Sequence, residues 1–292
     1  FKQKTAYEIP KRDWSSDVCS SDLVVGLDVA RIRADFPVLA ELVGGRPITY
    51  LDSANTSQKP RAVIDAMADF MATGYAPINR SAYELASRAT DRYEAARAAV
   101  ARFIGAPSPR EVVFTKNATE SLNLVARSWG GSTLRPGDAV VLTHMEHHAN
   151  VVPWQMLAAE RGIELRWVPL TEDFQLDLRG LPELLRGAKA FAFTATSNVL
   201  GTITPVAELC RAAHDAGAIA IVDACQSVPH APTDVRAWGA DFVAFSSHKM
   251  CGPSGLGVLW GRAELLEAMP PDRKSTRLNS SHVSESRMPS SA

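Results

Sequence analysis

Short apolar runs alternate with amphipathic stretches along most of the chain. From residue 111 onward, runs rich in Val, Ile, Phe and Leu are separated by stretches in which apolar residues recur with helical spacing. The runs predict strands at 112–115, 139–143, 164–169, 190–194, 218–223, 242–245 and 257–260. The stretches between them predict helices at 119–126, 153–161, 181–186 and 205–216. This alternation favours an α/β fold with a largely parallel sheet that helices cover on both faces.

Upstream of this region the pattern is helical. Amphipathic spacing predicts helices at 64–73 and 87–103. A further helix is predicted at 27–41, outside the sheet layer. The sequence contains no internal repeat.

The two ends of the chain differ from its body. Residues 1–23 have neither helical nor strand periodicity and no signal-peptide core, and residues 273–292 are serine-rich and aperiodic. Both ends resemble translated sequencing-adapter sequence, and natural polar tails are the alternative. We expect disordered, foreign ends with the natural chain cut near Pro271. The predicted organisation is a leader at 1–23, an N-terminal segment at 24–45, a main domain at 46–272 and a tail at 273–292.

Composition narrows the class of protein. The 292 residues are 46% hydrophobic and 22% charged, which is typical of a soluble globular protein. The formal net charge of −1 gives no sign of a nucleic acid or an anionic membrane as partner. No apolar run approaches the roughly 20 residues that a membrane span needs. The four cysteines show no paired C-x-x-C spacing, which favours a reducing cytoplasm.

Five polar residues fall at or just after the predicted strand ends. Parallel sheets bind their ligands beyond the carboxyl ends of the strands. These residues are therefore expected to converge on one site: Thr119, His147, Asn198, Asp223 and Lys249.

Lys249 follows an apolar strand and precedes a glycine-rich turn. Between residues 23 and 272 the chain has only four lysines, and its other basic side chains there are arginines. Burial lowers the pKa of a lysine, and a neutral amine can form a Schiff base where a guanidinium cannot. An ordinary lysine at a strand end is the alternative interpretation.

Asp223 ends an entirely apolar strand. A carboxylate there needs a cationic partner, because burial would otherwise neutralise it. A protonated pyridine nitrogen, as in pyridoxal phosphate sites, would serve. A metal ligand or a structural salt bridge are the alternatives. Gln226 could donate to a cofactor phenolate oxygen, or it could be a polar residue at the start of a helix.

Thr119 lies at a strand-to-helix junction. It is expected to cap the helix, whose free N–H groups form a ready phosphate site. Plain capping without a ligand is the alternative. Ser246 and His248, which lie just before Lys249, could add donors to the phosphate.

Three histidines, His144, His147 and His148, lie close together. Such a group can bind zinc, but no second cluster with ligand spacing follows in the sequence. An imidazole stacked on a flat cofactor ring is the favoured interpretation, with His147 as the candidate. His144 and His148 are expected to be structural.

An ordered set of motifs carries a family resemblance, which runs from about residue 35 to 271. These are Tyr50-Leu-Asp-Ser-Ala, Ala118-Thr-Glu-Ser-Leu-Asn, Met145-Glu-His-His-Ala-Asn-Val-Val-Pro-Trp-Gln, Ser197-Asn-Val-Leu-Gly, Val222-Asp-Ala-Cys-Gln and Phe245-Ser-Ser-His-Lys249. Together they resemble the cysteine desulfurases, and the histidine segment resembles the SUF-type (group II) branch. The resemblance implies the three-layer α/β/α large domain of fold-type-I, pyridoxal-phosphate-dependent transferases of the class-V aminotransferase superfamily. Its sheet would be mixed but mainly parallel, and most of the small C-terminal domain would be missing.

The resemblance also implies a role for each site residue. Lys249 would bind the cofactor as a Schiff base and then move protons, and His147 would stack on the ring and act in catalysis. Asp223 would hold the pyridinium, Gln226 would contact the phenolate, and Asn198 would position cofactor and substrate. The implied phosphate contacts are Thr119, Ala118, Ser246 and His248, and Arg80 is an implied contact of the substrate.

The implied reaction converts L-cysteine to L-alanine and passes sulfur to an enzyme persulfide for iron–sulfur cluster assembly. The family forms homodimers that share the active site, and a sulfur-acceptor protein is an expected partner. The nucleophilic cysteine and a carboxylate-binding arginine lie C-terminal to the lysine in the family, in a segment absent here. The fragment is therefore expected to be inactive and, with apolar surface exposed, poorly soluble.

This sequence departs from the family pattern at two further places. Ala118 stands where a second threonine is common, and Asn79 stands where many relatives have histidine. Alternatives are a selenocysteine lyase, another class-V lyase or aminotransferase, a zinc hydrolase that uses His144, His147 and Asp223, and an inert folding unit.

Overall fold

The computed structural model describes residues 27–78 and 83–271, and the chain divides into two compact units, Phe1–Thr49 and Tyr50–Ala292. The predictions for residues 1–23 and 273–292 lie outside the described residues. Among the described helices, none is both long and apolar enough to cross a membrane.

The first unit contains a shorter helix than the sequence predicts. Helix α1 (Val29–Ala34) is followed by a 3₁₀ turn (Pro37–Ala40) and by a short antiparallel pair, β1 (Leu42–Val43) and β2 (Arg46–Pro47). The Asp28 side chain caps α1 by accepting from the Arg31 amide at 2.9 Å. Pro37 cannot donate a helical hydrogen bond and pushes Phe36 into an extended conformation. The prediction of one helix over 27–41 is therefore wrong.

The second unit is built on a seven-stranded sheet. Its strands are β3 (Val112–Thr115), β4 (Ala139–Thr143), β5 (Glu164–Val168), β6 (Ala188–Thr194), β7 (Ile219–Asp223), β8 (Phe242–Ser246) and β9 (Gly257–Gly261). They lie in the order β3-β9-β8-β7-β6-β4-β5. All seven predicted strands are present, with ends within two residues of the prediction.

The sheet is mixed but mainly parallel. Strands β5, β4, β6, β7 and β8 are parallel, whereas β9 is antiparallel to both β8 and β3. Strand β3 therefore points in the same direction as the parallel strands. The carboxyl ends of these strands therefore lie together at one end of the sheet, and β9 starts there as well.

The helices of this unit are α2 (Arg61–Asp69), α3 (Glu84–Phe103), α4 (Ala118–Leu124), α5 (Gly131–Thr133), α6 (Val152–Arg161), α7 (Leu181–Leu185), α8 (Val206–Asp215), α9 (Val235–Trp238) and α10 (Ala263–Ala268). Helices α2 and α4 continue as π-helical turns, Phe70–Gly74 and Val125–Gly130. The helices predicted for this unit are confirmed, whereas the short helices α5, α9 and α10 were not predicted.

Two apolar clusters cover the two faces of the sheet. In β6, Phe191 and Phe193 belong to one cluster, whereas Ala190 and Ala192 belong to the other. Residues of α7, α8 and α9 complete the first cluster, and residues of α4, α6 and α10 complete the second. The predicted three-layer α/β/α architecture is confirmed.

Candidate active site

An open cavity of about 200 Å³ lies where the carboxyl ends of the parallel strands meet. Its lining includes all five residues that follow the predicted strand ends, namely Thr119, His147, Asn198, Asp223 and Lys249. Ala118, Gln226, Ser246 and His248 line it as well. Arg80 lies outside the described residues.

The start of α4 is held against β8 and β9. Asn117, rather than Thr119, caps this helix, because its Oδ1 accepts from the Glu120 amide at 2.8 Å. The prediction that Thr119 is the cap is wrong, since Thr119 already lies in the first helical turn. The Ala118 amide donates to Ser246 Oγ at 2.8 Å. A Cβ at Gly257 would lie 2.4 Å from Asn117 Cα, so this approach requires glycine.

His147 is oriented by the turn that follows β4. Its Nδ1 accepts from the Ala149 amide at 3.1 Å, so the ring proton of the neutral imidazole lies on Nε2. His144 packs on Trp167, with ring centroids 5.6 Å apart. Neither His144 nor His148 lines the cavity. Within the described residues, no group of three or more His, Cys, Asp or Glu side chains could hold a metal ion.

Sequence reasoning missed Glu146, which directly precedes His147 in the chain. Its Oε1 accepts from the Thr143 hydroxyl and from the Thr194 amide at 2.9 Å, and its Oε2 accepts from Asn150 at 2.7 Å. Burial raises the pKa of Glu146 to about 8, and the negative charge of Asp223 adds to that rise. A neutral carboxyl group therefore joins the ends of β4 and β6 at neutral pH. A glutamate after a strand gives no local signal of this role.

Asp223 is a buried carboxylate without a cationic partner among the described residues. Its Oδ1 accepts from the Cys225 amide at 3.0 Å. Burial, and then the charge of Asp223, raise the pKa of the Cys225 thiol well above its ordinary value, while the charge of Lys249 opposes that rise. Asp223 and Lys249 therefore lie close enough to act on the same thiol.

The remaining predicted residues surround these two charges. The Gln226 side chain is buried, and its Nε2 donates to the Ala54 carbonyl at 2.6 Å. Lys249 lies at the end of a 3₁₀ turn, Ser247–Lys249, that directly follows β8. Burial and the charges of Lys249 and Lys59 lower the pKa of His248. His248 is therefore neutral at pH 7.

Residues 49–288 match the class-V aminotransferase family. The match extends into the serine-rich segment that begins at residue 273. A cysteine desulfurase of Dickeya dadantii is 52% identical over 244 residues, which are 83% of this chain and 59% of that relative. A probable cysteine desulfurase of Synechocystis sp. is 49% identical over 243 residues, 83% of this chain and 58% of the relative.

Solved structures of cysteine desulfurases are also similar to this chain. A crystal structure of a cysteine desulfurase of Escherichia coli superposes with a TM-score of 0.75 at 42% identity, covering 83% of this chain and 60% of that one. The apo structure of a cysteine desulfurase of Thermococcus onnurineus gives 0.78 at 40% identity, covering 84% and 59%. The chain thus spans about 60% of the length of the relatives that it matches.

Proposed function

The chain belongs to the class-V aminotransferase family, and we propose that it forms the cofactor-binding part of a pyridoxal-phosphate-dependent cysteine desulfurase of the SUF type. The reaction takes sulfur from L-cysteine and leaves L-alanine. The names of relatives about 50% identical support this proposal, and so does the content of the cavity.

The observation that carries the proposal is the unpaired buried carboxylate of Asp223. A ligand that brings a cation to this place would stabilise the site, because burying an unpaired charge is costly. The protonated ring nitrogen of pyridoxal phosphate fits this requirement. When bound, the cofactor supplies an electron-withdrawing ring that stabilises negative charge developing on the substrate carbon.

The residues at the other side of the cavity suit a phosphate group. Thr119 and His248 each offer a donor beside the start of α4. Ser246 Oγ accepts from the Ala118 amide, which leaves its hydroxyl hydrogen to donate elsewhere. Ala118 has no hydroxyl and its amide donates to Ser246 Oγ, so it lines the proposed phosphate site and positions Ser246. We propose that these residues hold the phosphate.

Lys249 and His147 are the proposed catalytic residues. The Lys249 amine would hold the cofactor covalently and then carry protons to and from the substrate carbon. His147 would stack on the ring and present its Nε2 proton towards the reacting groups. Gln226 and Asn198 would contact the phenolate oxygen and the substrate. Arg80 stays a prediction as a substrate contact.

Two of the described cysteines are poor sulfur acceptors. Only a thiolate attacks sulfur efficiently. Burial raises the pKa of Cys210 to about 12 and also raises the pKa of Cys225 well above its ordinary value, so both are thiols at neutral pH. The third described cysteine, Cys251, lies in the turn that directly follows Lys249, where its amide donates to Ser57 Oγ at 2.6 Å. It does not match the nucleophile of the cysteine desulfurases, and we propose that the accepting cysteine lies outside the described residues. We further propose that the full-length protein is a homodimer in a reducing cytoplasm. It would pass its sulfur to an acceptor protein for iron–sulfur cluster assembly.

A spectroscopic titration tests the function. The protein is titrated with pyridoxal phosphate, and its visible absorbance is recorded before and after L-cysteine, L-selenocysteine or L-aspartate is added. A new visible band that L-cysteine changes more strongly than L-aspartate supports the proposal. A response to L-aspartate alone contradicts it, and a dominant response to L-selenocysteine favours the lyase alternative.

A further inference from the structure

A short segment before α2 forms hydrogen bonds with the backbone of residues 247–252, which we call the lysine loop. We call residues 54–59 the strap. Four donors of the strap reach one oxygen atom, the carbonyl of His248. They are Ser57 N at 2.9 Å, Ser57 Oγ at 3.0 Å, Thr56 Oγ1 at 3.1 Å and Lys59 Nζ at 3.2 Å.

The Ser57 hydroxyl links both sides of Lys249. Besides donating to the His248 carbonyl, its oxygen accepts from the Cys251 amide at 2.6 Å. Cys251 has φ of 64°, a left-handed conformation that is unfavourable for a residue with a side chain. The bond to Ser57 therefore stabilises a turn that the loop would not adopt by itself.

The strap also reaches the other side of the cavity. The Ala54 carbonyl accepts from Gln226 Nε2 at 2.6 Å. Lys59 donates to the carbonyls of Ser57 and His248, so this second amine is held by the backbone. Asn55, between these contacts, lines the cavity.

A carbonyl oxygen has two lone pairs, which the four donors of the strap share, so the bonding capacity of the His248 carbonyl is fully used by the strap. The peptide that they hold directly precedes Lys249, whose side chain is long and flexible. We propose that the strap is a positioning device for the Lys249 amine and that Ser57 is the positioning residue through which it acts. Its importance for catalysis rests on the proposed function, whereas its hold on the loop does not.

The first test needs no cofactor. Hydrogen exchange is measured by mass spectrometry for peptides covering residues 247–252 in the full chain, in Ser57→Ala and in Ser57→Thr. We expect roughly tenfold faster exchange of the Cys251 amide in Ser57→Ala and recovery in Ser57→Thr, because threonine keeps the hydroxyl. Ser132→Ala is the matched control, because it removes a hydroxyl that donates to the carbonyls of Ser128 and Trp129 in the π-helical turn just before α5. Unchanged exchange in Ser57→Ala would overturn the proposal.

The second test measures the rate at which borohydride traps pyridoxal phosphate on Lys249. A misplacement of about 1 Å can cost about 10²-fold in rate, so we expect roughly a tenfold loss in Ser57→Ala and none in Ser132→Ala. Trapping at the unaltered rate in Ser57→Ala would overturn the positioning role. If the unaltered protein traps no cofactor at Lys249, the proposed function fails, and the exchange experiment still decides on the strap. Should Ser57→Ala not fold, Thr56→Val removes one of the same four donors and is expected to change both rates less, in the same direction.

Discussion

Glu146 Oε1 accepts a hydrogen bond from the Thr194 amide at 2.9 Å and so joins the ends of two neighbouring parallel strands beneath the cavity. The same carboxyl group bonds to Thr143 and Asn150. It ties the end of β4, the end of β6 and the 3₁₀ turn His148–Asn150 to one another. His147, the proposed stacking residue, directly follows it in the chain.

Protein stability is predicted to depend on the ionisation of Glu146. Its pKa is about 8 in the folded protein and near 4.5 when exposed, so the folded state binds a proton more tightly than the unfolded state. Its stabilising effect is therefore complete below about pH 4.5 and is lost as the pH rises to about 8.

Urea unfolding at pH 5, 7 and 9 measures this effect. In the unaltered protein the free energy of unfolding is expected to fall as the pH rises. Glu146→Gln cannot ionise and should reduce this fall by a few kcal/mol, since each pKa unit corresponds to about 1.4 kcal/mol. Glu264→Gln, at an exposed position of α10, should leave the decline as it is. Parallel pH profiles for the unaltered protein and Glu146→Gln would contradict this prediction.

Asp223→Asn is predicted to affect stability and cofactor binding in opposite directions. Without cofactor, the amide removes an unpaired buried charge, so thermal stability should stay equal or rise. With pyridoxal phosphate, the variant loses the partner of the ring nitrogen and should bind about 2–5 kcal/mol more weakly. Melting temperatures with and without cofactor check both arms. Retained cofactor affinity together with a less stable apo protein would show that Asp223 is a structural residue.

Asp241 is predicted to stabilise the fold without affecting the site. It is buried at the other end of the strands, where it bonds to His214 Nε2 at 2.7 Å, to Arg262 Nε at 3.0 Å and to the Ala220 amide at 2.7 Å. Because the His214 and Arg262 side chains are more than one-third exposed, water can take over part of their bonding, and Asp241→Asn should cost about 1–3 kcal/mol in the free energy of unfolding. Cofactor affinity, measured below the melting temperature, should not change. If Asp241→Asn instead lowered cofactor affinity strongly and left stability unchanged, this prediction would be wrong.

Gly257→Ala is predicted to separate β9 from the start of α4. The added methyl group would meet backbone atoms of Asn117 at 2.4 Å, and these cannot rotate away as a side chain could. Overpacking of this kind costs about 1–3 kcal/mol in unfolding free energy. Gly131→Ala is the matched control, because the nearest atom to its Cβ would be Arg161 Nη2 at 3.9 Å. Equal stability of the two variants would show that the Gly257 approach is not needed.

The sequence predicts the sheet well because its strands are buried on both faces. Residues 190–194 and 219–223 are almost continuously apolar, and a short apolar run between polar loops is a strong local signal. The convergence of Thr119, His147, Asn198, Asp223 and Lys249 in one cavity follows from the parallel arrangement alone.

Local sequence patterns do not predict features that depend on a single hydrogen bond or on a contact between residues far apart in the chain. Asn117 rather than Thr119 caps α4, and both residue types are plausible caps in a sequence. The strap depends on hydrogen bonds between residues 191 and 192 positions apart, as in Ser57 and Thr56 to His248, which no periodicity can reveal. Glu146 becomes informative only when burial and its three partners are known.

The most direct test of the account identifies the amine that binds the cofactor. The protein is incubated with pyridoxal phosphate, reduced with borohydride and digested, and the modified peptides are identified by mass spectrometry. Lys249→Arg and the exposed Lys189→Arg serve as the paired variants. We predict one dominant modification, at Lys249, which Lys249→Arg abolishes and Lys189→Arg leaves intact. Modification of Lys116 and Lys189 to the same extent as Lys249 would contradict it.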